Sequence, residues 1–138
     1  MSATSSAATA AARPVNLVRV GLGTIVAVVA NLAVFAIASG AGASWSANGQ
    51  SVNAALVVIA TVIPMAIGGV ITALLARRWT GAATVMAWVG LAFAVVSAPA
   101  PLFASDDDAT KWALAVMHVV TGVAWFVAIR PRRSAAGA

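Results

Sequence analysis

Few residues in this chain could do chemistry. It has no cysteine, which excludes disulfides, thiol nucleophiles, Cys-x-x-Cys redox pairs and cysteine-ligated metals. It has one histidine, His118, so the chain cannot build a local multi-histidine metal site by itself. His118 falls inside a long apolar run. Ionisable side chains within a membrane are rare, and they face the bundle interior or a water-filled cavity. The chemical readings of His118 are a proton relay, a ligand contact or an axial haem ligand. The haem reading is the weakest, because a second histidine would have to come from a symmetric partner chain. The favoured reading is plainer: a neutral imidazole hydrogen-bonded to a neighbouring helix, as polar groups between membrane helices commonly are.

Three more polar residues fall inside apolar runs: Asn31, Thr61 and Ser97. Counted from the run ends at 1.5 Å per residue, Asn31, Thr61 and His118 lie roughly 9–10 Å deep, with Ser97 at similar or shallower depth. Asn31, Thr61, Ser97 and His118 are therefore expected to form one polar layer in one half of the membrane. Such a layer either lines a small pocket or fixes helix register, and register is the favoured role.

All three acidic residues form one run, Asp106-Asp107-Asp108. Ser105 and Asp108 have capping-box spacing, and acidic groups suit a helix N-terminus. A calcium site would want more oxygen ligands in a defined loop. No glycine-rich phosphate loop follows a strand. No credible Ser/His/Asp set exists, and no carboxylate lies within an apolar run to exchange a proton against cargo. The sequence assigns no catalytic, cofactor-binding or metal-binding residue.

The elements that hold these residues follow from composition. Of 138 residues, 62% are hydrophobic and 8% charged. A soluble domain is about 45–50% apolar and about 25% charged. A soluble monomer of this size cannot hide so much apolar surface, so lipid takes the place of water around most of it. The net charge of +5 would suggest nucleic acid only if the charges shared one surface. They do not, and no nucleic-acid partner is expected.

Four apolar runs predict four spans, at about 19–38, 54–76, 82–98 and 112–129. Each has roughly the 17–25 residues a helix needs to cross the hydrocarbon core. The runs lack strict alternation, which excludes a β-barrel. Short connections make sequential helices antiparallel neighbours, giving an all-α, up-down four-helix membrane bundle. Residues 1–15 read as a disordered tail and 131–138 as a basic tail. The segment Ala36-Ile37-Ala38 resembles a signal-cleavage site, but the run before it is longer than a usual signal core, so it is read as a retained span.

Orientation follows from the basic residues. Arg13, Arg19, Arg77, Arg78, Arg130, Arg132 and Arg133 fall on one side and only Lys111 on the other. By the positive-inside rule both termini are cytoplasmic, and the chain is a multi-pass protein of the inner (plasma) membrane.

Local features refine this. Pro64, inside the second run, predicts a kink near residues 60–64, with Thr61 close enough to help satisfy a freed carbonyl. Small residues recur four apart at Ala83/Ala87 and Gly90/Ala94/Ala98, and His118 and Gly122 are also four apart, with Trp125 on the same side. Such spacing lets helices approach closely, within the bundle or at a dimer face. Trp79 and Trp112 sit where runs end, as in an aromatic belt, while Trp88 and Trp125 read as packing groups.

An Ala/Ser-rich leading tail, four Ala/Val-rich spans, a proline within the second and a histidine in the fourth resemble small four-helix bacterial membrane proteins from high-GC genomes, classed as a domain of unknown function. The resemblance covers roughly residues 16–130. It implies a fold and no activity, and it carries over no functional residue. Three function classes stay open, in this order: a non-enzymatic accessory, assembly or ligand-sensing membrane protein; a small oligomeric transporter or permease component; and a haem-binding or other redox protein acting through His118. The expected partners are the lipid bilayer and a second copy or another membrane protein.

Overall fold

The computed structural model describes residues 15–131. The expected tails therefore lie almost wholly outside the described residues, as do Arg13, Arg132 and Arg133. Helix α1 (Leu17–Gly40) leads into a hairpin of β1 (Ser46–Ala47) and β2 (Gln50–Ser51). Helices α2 (Ala54–Ala76), α3 (Ala82–Ser97), α4 (Ala100–Ala104) and α5 (Asp108–Ile129) follow. With α3 and α4 taken together, four helical units of 24, 23, 23 and 22 residues are long and apolar enough to span a membrane. The described protein is an all-α bundle of these four units.

Helices α1, α2 and α5 start where a side chain satisfies one of the free N–H groups. Asn16 Oδ1 accepts from Arg19 N (3.1 Å) at α1, and Asn53 Oδ1 accepts from Leu56 N (2.9 Å) at α2. At α5 the cap is Asp107, which accepts from Thr110 N (2.8 Å). This corrects the Ser105–Asp108 capping box: Ser105 sits opposite Ala47 in an isolated β-bridge, and its hydroxyl has no partner among the described residues.

The Pro99-Ala100-Pro101 triplet ends α3 but not the helical path. Pro99 and Pro101 bring no N–H, so the carbonyls preceding them lose donors. Their fixed φ suits the first turn of a new helix, and α4 starts there at once.

Helix α5 runs between α1 and α3 and packs on both, while α2 packs mainly on α1. Helix α2 touches α3 and α5 only sparsely, so the bundle gapes between α2 and α3. Arg19, near the start of α1, caps the last carbonyls of α5, donating to Val127 O (2.7 Å) and Arg130 O (3.2 Å). Val20, Met65, Ala87, Trp125 and Ile129 pack together at this end. Ala38, Trp45, Val57, Ala113 and Met117 form the cluster at the other. Most large apolar side chains point outward: Ile37 and Val96 are 74% and 79% exposed. A water-facing surface would not carry that many, so the outer face is built for lipid.

The hairpin closes the end opposite the start of α1 and the end of α5. Asn48 and Gly49 both have positive φ (51° and 73°), the geometry of a two-residue hairpin turn, with Ala47 paired to Gln50. Trp45, also at positive φ (54°), is buried and stacks on Phe35 at 4.2 Å. Its backbone N–H donates to Thr110 Oγ1 (3.0 Å) and its indole N–H to Ser39 Oγ (2.8 Å). The Ser44 hydroxyl and backbone N–H both donate to Asp107 Oδ2. The Ser44 hydroxyl first, then Thr110 and the Ser44 backbone, hold the Asp107 carboxyl well below the usual carboxylate range.

Candidate functional site

The gap between α2 and α3 is a cavity of about 490 Å³, with α5 as its floor. Its walls are mostly apolar, with Leu56 and Met65 from α2, Met86 and Phe93 from α3, and Leu114 and Met117 from α5. Asn31, Thr61, Ser97, His118 and Thr121 supply the polar atoms.

Trp125 shapes one end. Its indole lies in a slot between Gly68 of α2 and Gly90 of α3, and a Cβ at either glycine would overlap the ring. Its N–H donates to Met86 O (2.8 Å), which fixes the ring. The small residues of α3 serve packing within the bundle: Ala87 and Ala94 are buried, and Ala94 lies directly against Gly122 of α5.

Asn31 ties three helices together. It is 2% exposed, and its Nδ2 donates to Thr61 Oγ1 on α2 and Thr121 Oγ1 on α5, both at 2.9 Å. Thr61 donates its own hydroxyl hydrogen to Val57 O (2.8 Å), so toward Asn31 it can only accept. That requirement sets the amide orientation and turns Oδ1 the other way. Oδ1 is buried and has no hydrogen-bond partner among the described residues. An unmade bond at a buried acceptor costs about 1–3 kcal/mol.

His118 lies one turn from Thr121 on the same face of α5. Its Nδ1 is 2.8 Å from Leu114 O on its own helix. A carbonyl can only accept, so Nδ1 carries the hydrogen and, in the neutral ring, Nε2 is an acceptor. Ser97 donates to Ala94 O (3.2 Å), also on its own helix. Pro64 has no N–H, so the Ala60 carbonyl lacks its helical donor, and both residues border the cavity. The expectation that Thr61 would help a freed carbonyl here fails, because its hydroxyl is committed to Val57. Helix α2 stays helical across Pro64.

A family model matches residues 10–135, nearly the whole chain. The chain belongs to the family of unknown function DUF6069. No curated protein and no solved structure matches it. Membership supplies no activity, so the function of this DUF6069 chain has to be argued from its site.

All four residues of the expected polar layer border one cavity, but they are not one hydrogen-bonded layer. Asn31 and Thr61 bond directly. Ser97 and His118 each bond a carbonyl of their own helix, so His118 does not join two helices. Reasoning from the sequence missed Thr121, which joins α5 to α1 through Asn31. Its signal was present: it is three residues past His118 and four before Trp125, on the stripe already singled out.

Proposed function

We propose that this protein is a non-enzymatic, ligand-sensing protein of the inner membrane that holds a small lipophilic molecule in the cleft between α2, α3 and α5. One observation carries the reading. A cavity of about 490 Å³ falls within the roughly 300–1,000 Å³ typical of small-molecule sites, with apolar walls and a few polar groups from all four helical units. The cleft opens between two helices whose outer faces meet lipid, so a lipophilic ligand can enter sideways from the bilayer. By the positive-inside rule the termini are cytoplasmic and the hairpin faces outward.

Native mass spectrometry of protein extracted in mild detergent tests this. Ala60 borders the cleft and is exposed on α2, so Ala60→Trp fills the site without disturbing a packed contact. The wild type is expected to carry a bound small molecule that Ala60→Trp lacks. Equal occupancy in both, or none in either, would contradict the reading.

A further inference from the structure

The polar atoms bordering the cleft share a bias. Most of their donors are already used inside the protein; the Thr121 hydroxyl, which accepts from Asn31, is the exception. Asn31 Nδ2 serves Thr61 and Thr121, the hydroxyls of Thr61 and Ser97 serve Val57 O and Ala94 O, and the Trp125 indole serves Met86 O. The unused capacity is mainly acceptor. His118 Nε2 has no partner among the described residues, because the ring is held by its other nitrogen. Asn31 Oδ1 has none either. Ala60 O, freed by Pro64, adds a backbone acceptor on the α2 wall.

We infer that the ligand is a lipophilic alcohol or phenol whose hydroxyl donates to His118 Nε2, while its hydrocarbon body lies along Met86, Phe93 and Met117. The inference rests on the ligand-binding reading above. His118 is half-buried and is the acceptor within direct reach. Asn31 Oδ1 is sealed in the wall, out of a ligand's direct reach. A hydrocarbon would fill the space but leave His118 Nε2 unpaired. An ether offers no hydrogen to that nitrogen. A site built to bond a hydroxyl rejects the analogue that lacks it, because its own buried polar groups are then left unmatched.

The test is a matched series: para-hexylphenol, its methyl ether and hexylbenzene. Each is titrated into the full-length protein in mild-detergent micelles, with occupancy read by native mass spectrometry. The phenol is expected to bind about tenfold more tightly than the ether or the hydrocarbon, a difference of ~1.4 kcal/mol. The preference should shrink in His118→Phe, which keeps an aromatic ring but removes Nε2. Equal binding of all three compounds by the wild type would overturn the hydroxyl assignment and leave the cleft as an apolar site. Binding of none would overturn the ligand-binding reading itself. The wild-type series decides the question even if a variant fails to fold.

Discussion

Asn31 Nδ2 lies 2.9 Å from Thr121 Oγ1, joining α1 to α5 across 90 residues of sequence. The same nitrogen bonds Thr61, so a single amide holds three helices at one level of the bundle. Interhelical hydrogen bonds in membranes average about 0.6 kcal/mol and reach ~1.7. A double-mutant cycle on Asn31→Ala and Thr121→Val should therefore give a coupling of about 0.6–1.7 kcal/mol. Reversible unfolding in mixed micelles would measure it. Additive effects would mean that the bond does not hold the helices together.

His118 should matter less to stability than a lone intramembrane histidine suggests. Its hydrogen bond goes to Leu114 O, within its own helix, so His118→Ala breaks no bond between helices. We expect a loss below about 0.6 kcal/mol, under the average for one interhelical bond, with His118→Gln no better than His118→Ala. A larger loss that glutamine recovers would show that the ring does join two helices.

Gly90 faces the Trp125 indole with no room for a methyl group. Gly90→Ala should destabilise by about 1–3 kcal/mol through overpacking and shift the tryptophan emission as the ring moves. Gly21→Ala is the control, since nothing lies near its missing Cβ. Alanine there should be neutral or slightly stabilising. Equal effects at the two sites would mean that the slot is not tight.

The four helical units were legible in the sequence because lipid imposes a simple rule: about 20 apolar residues for each crossing. Their arrangement was not. In a soluble bundle the apolar stripe tells which face packs inward, but here the surroundings are as apolar as the core, and the helices are hydrophobic all round. Nothing in the runs said that α2 would lean on α1 and leave α3. Asn31 and Thr61 were found because they are polar in apolar runs. Thr121 is just as polar and was passed over beside His118. The Asn48-Gly49 turn was readable, being the strongest short hairpin signal, but its flanking strands are only two residues long. The α5 cap fell to Asp107 rather than Ser105 because the Ser44 contact ties Asp107 to the hairpin, a tertiary effect with no local signature.

That contact predicts a pH dependence. Asp107 is held below its ordinary value of 3.8 by Ser44 and Thr110. A lowered carboxylate stabilises the fold at every pH above that value, and the contribution fades as pH falls through the folded-state pKa. The hairpin should thus stay docked at neutral pH and loosen only in strong acid. Amide hydrogen exchange at Trp45 and Thr110 would report it. Asp107→Ala should raise exchange at both amides at neutral pH, while Asp107→Asn keeps much of the cap. Unchanged exchange in Asp107→Ala would remove the carboxylate from this role.

The central claim, that the gap between α2 and α3 is a site rather than part of the lipid-facing surface, is tested most directly by photo-crosslinking. A diazirine-bearing lipophilic alcohol is added to the protein in bilayers, and the labelled residues are mapped by mass spectrometry. The account predicts label on Met65, Met86 and Met117, which border the cleft, competed away by para-hexylphenol. Label confined to lipid-facing residues such as Val26, Ile37 and Val96, unaffected by the competitor, would contradict it.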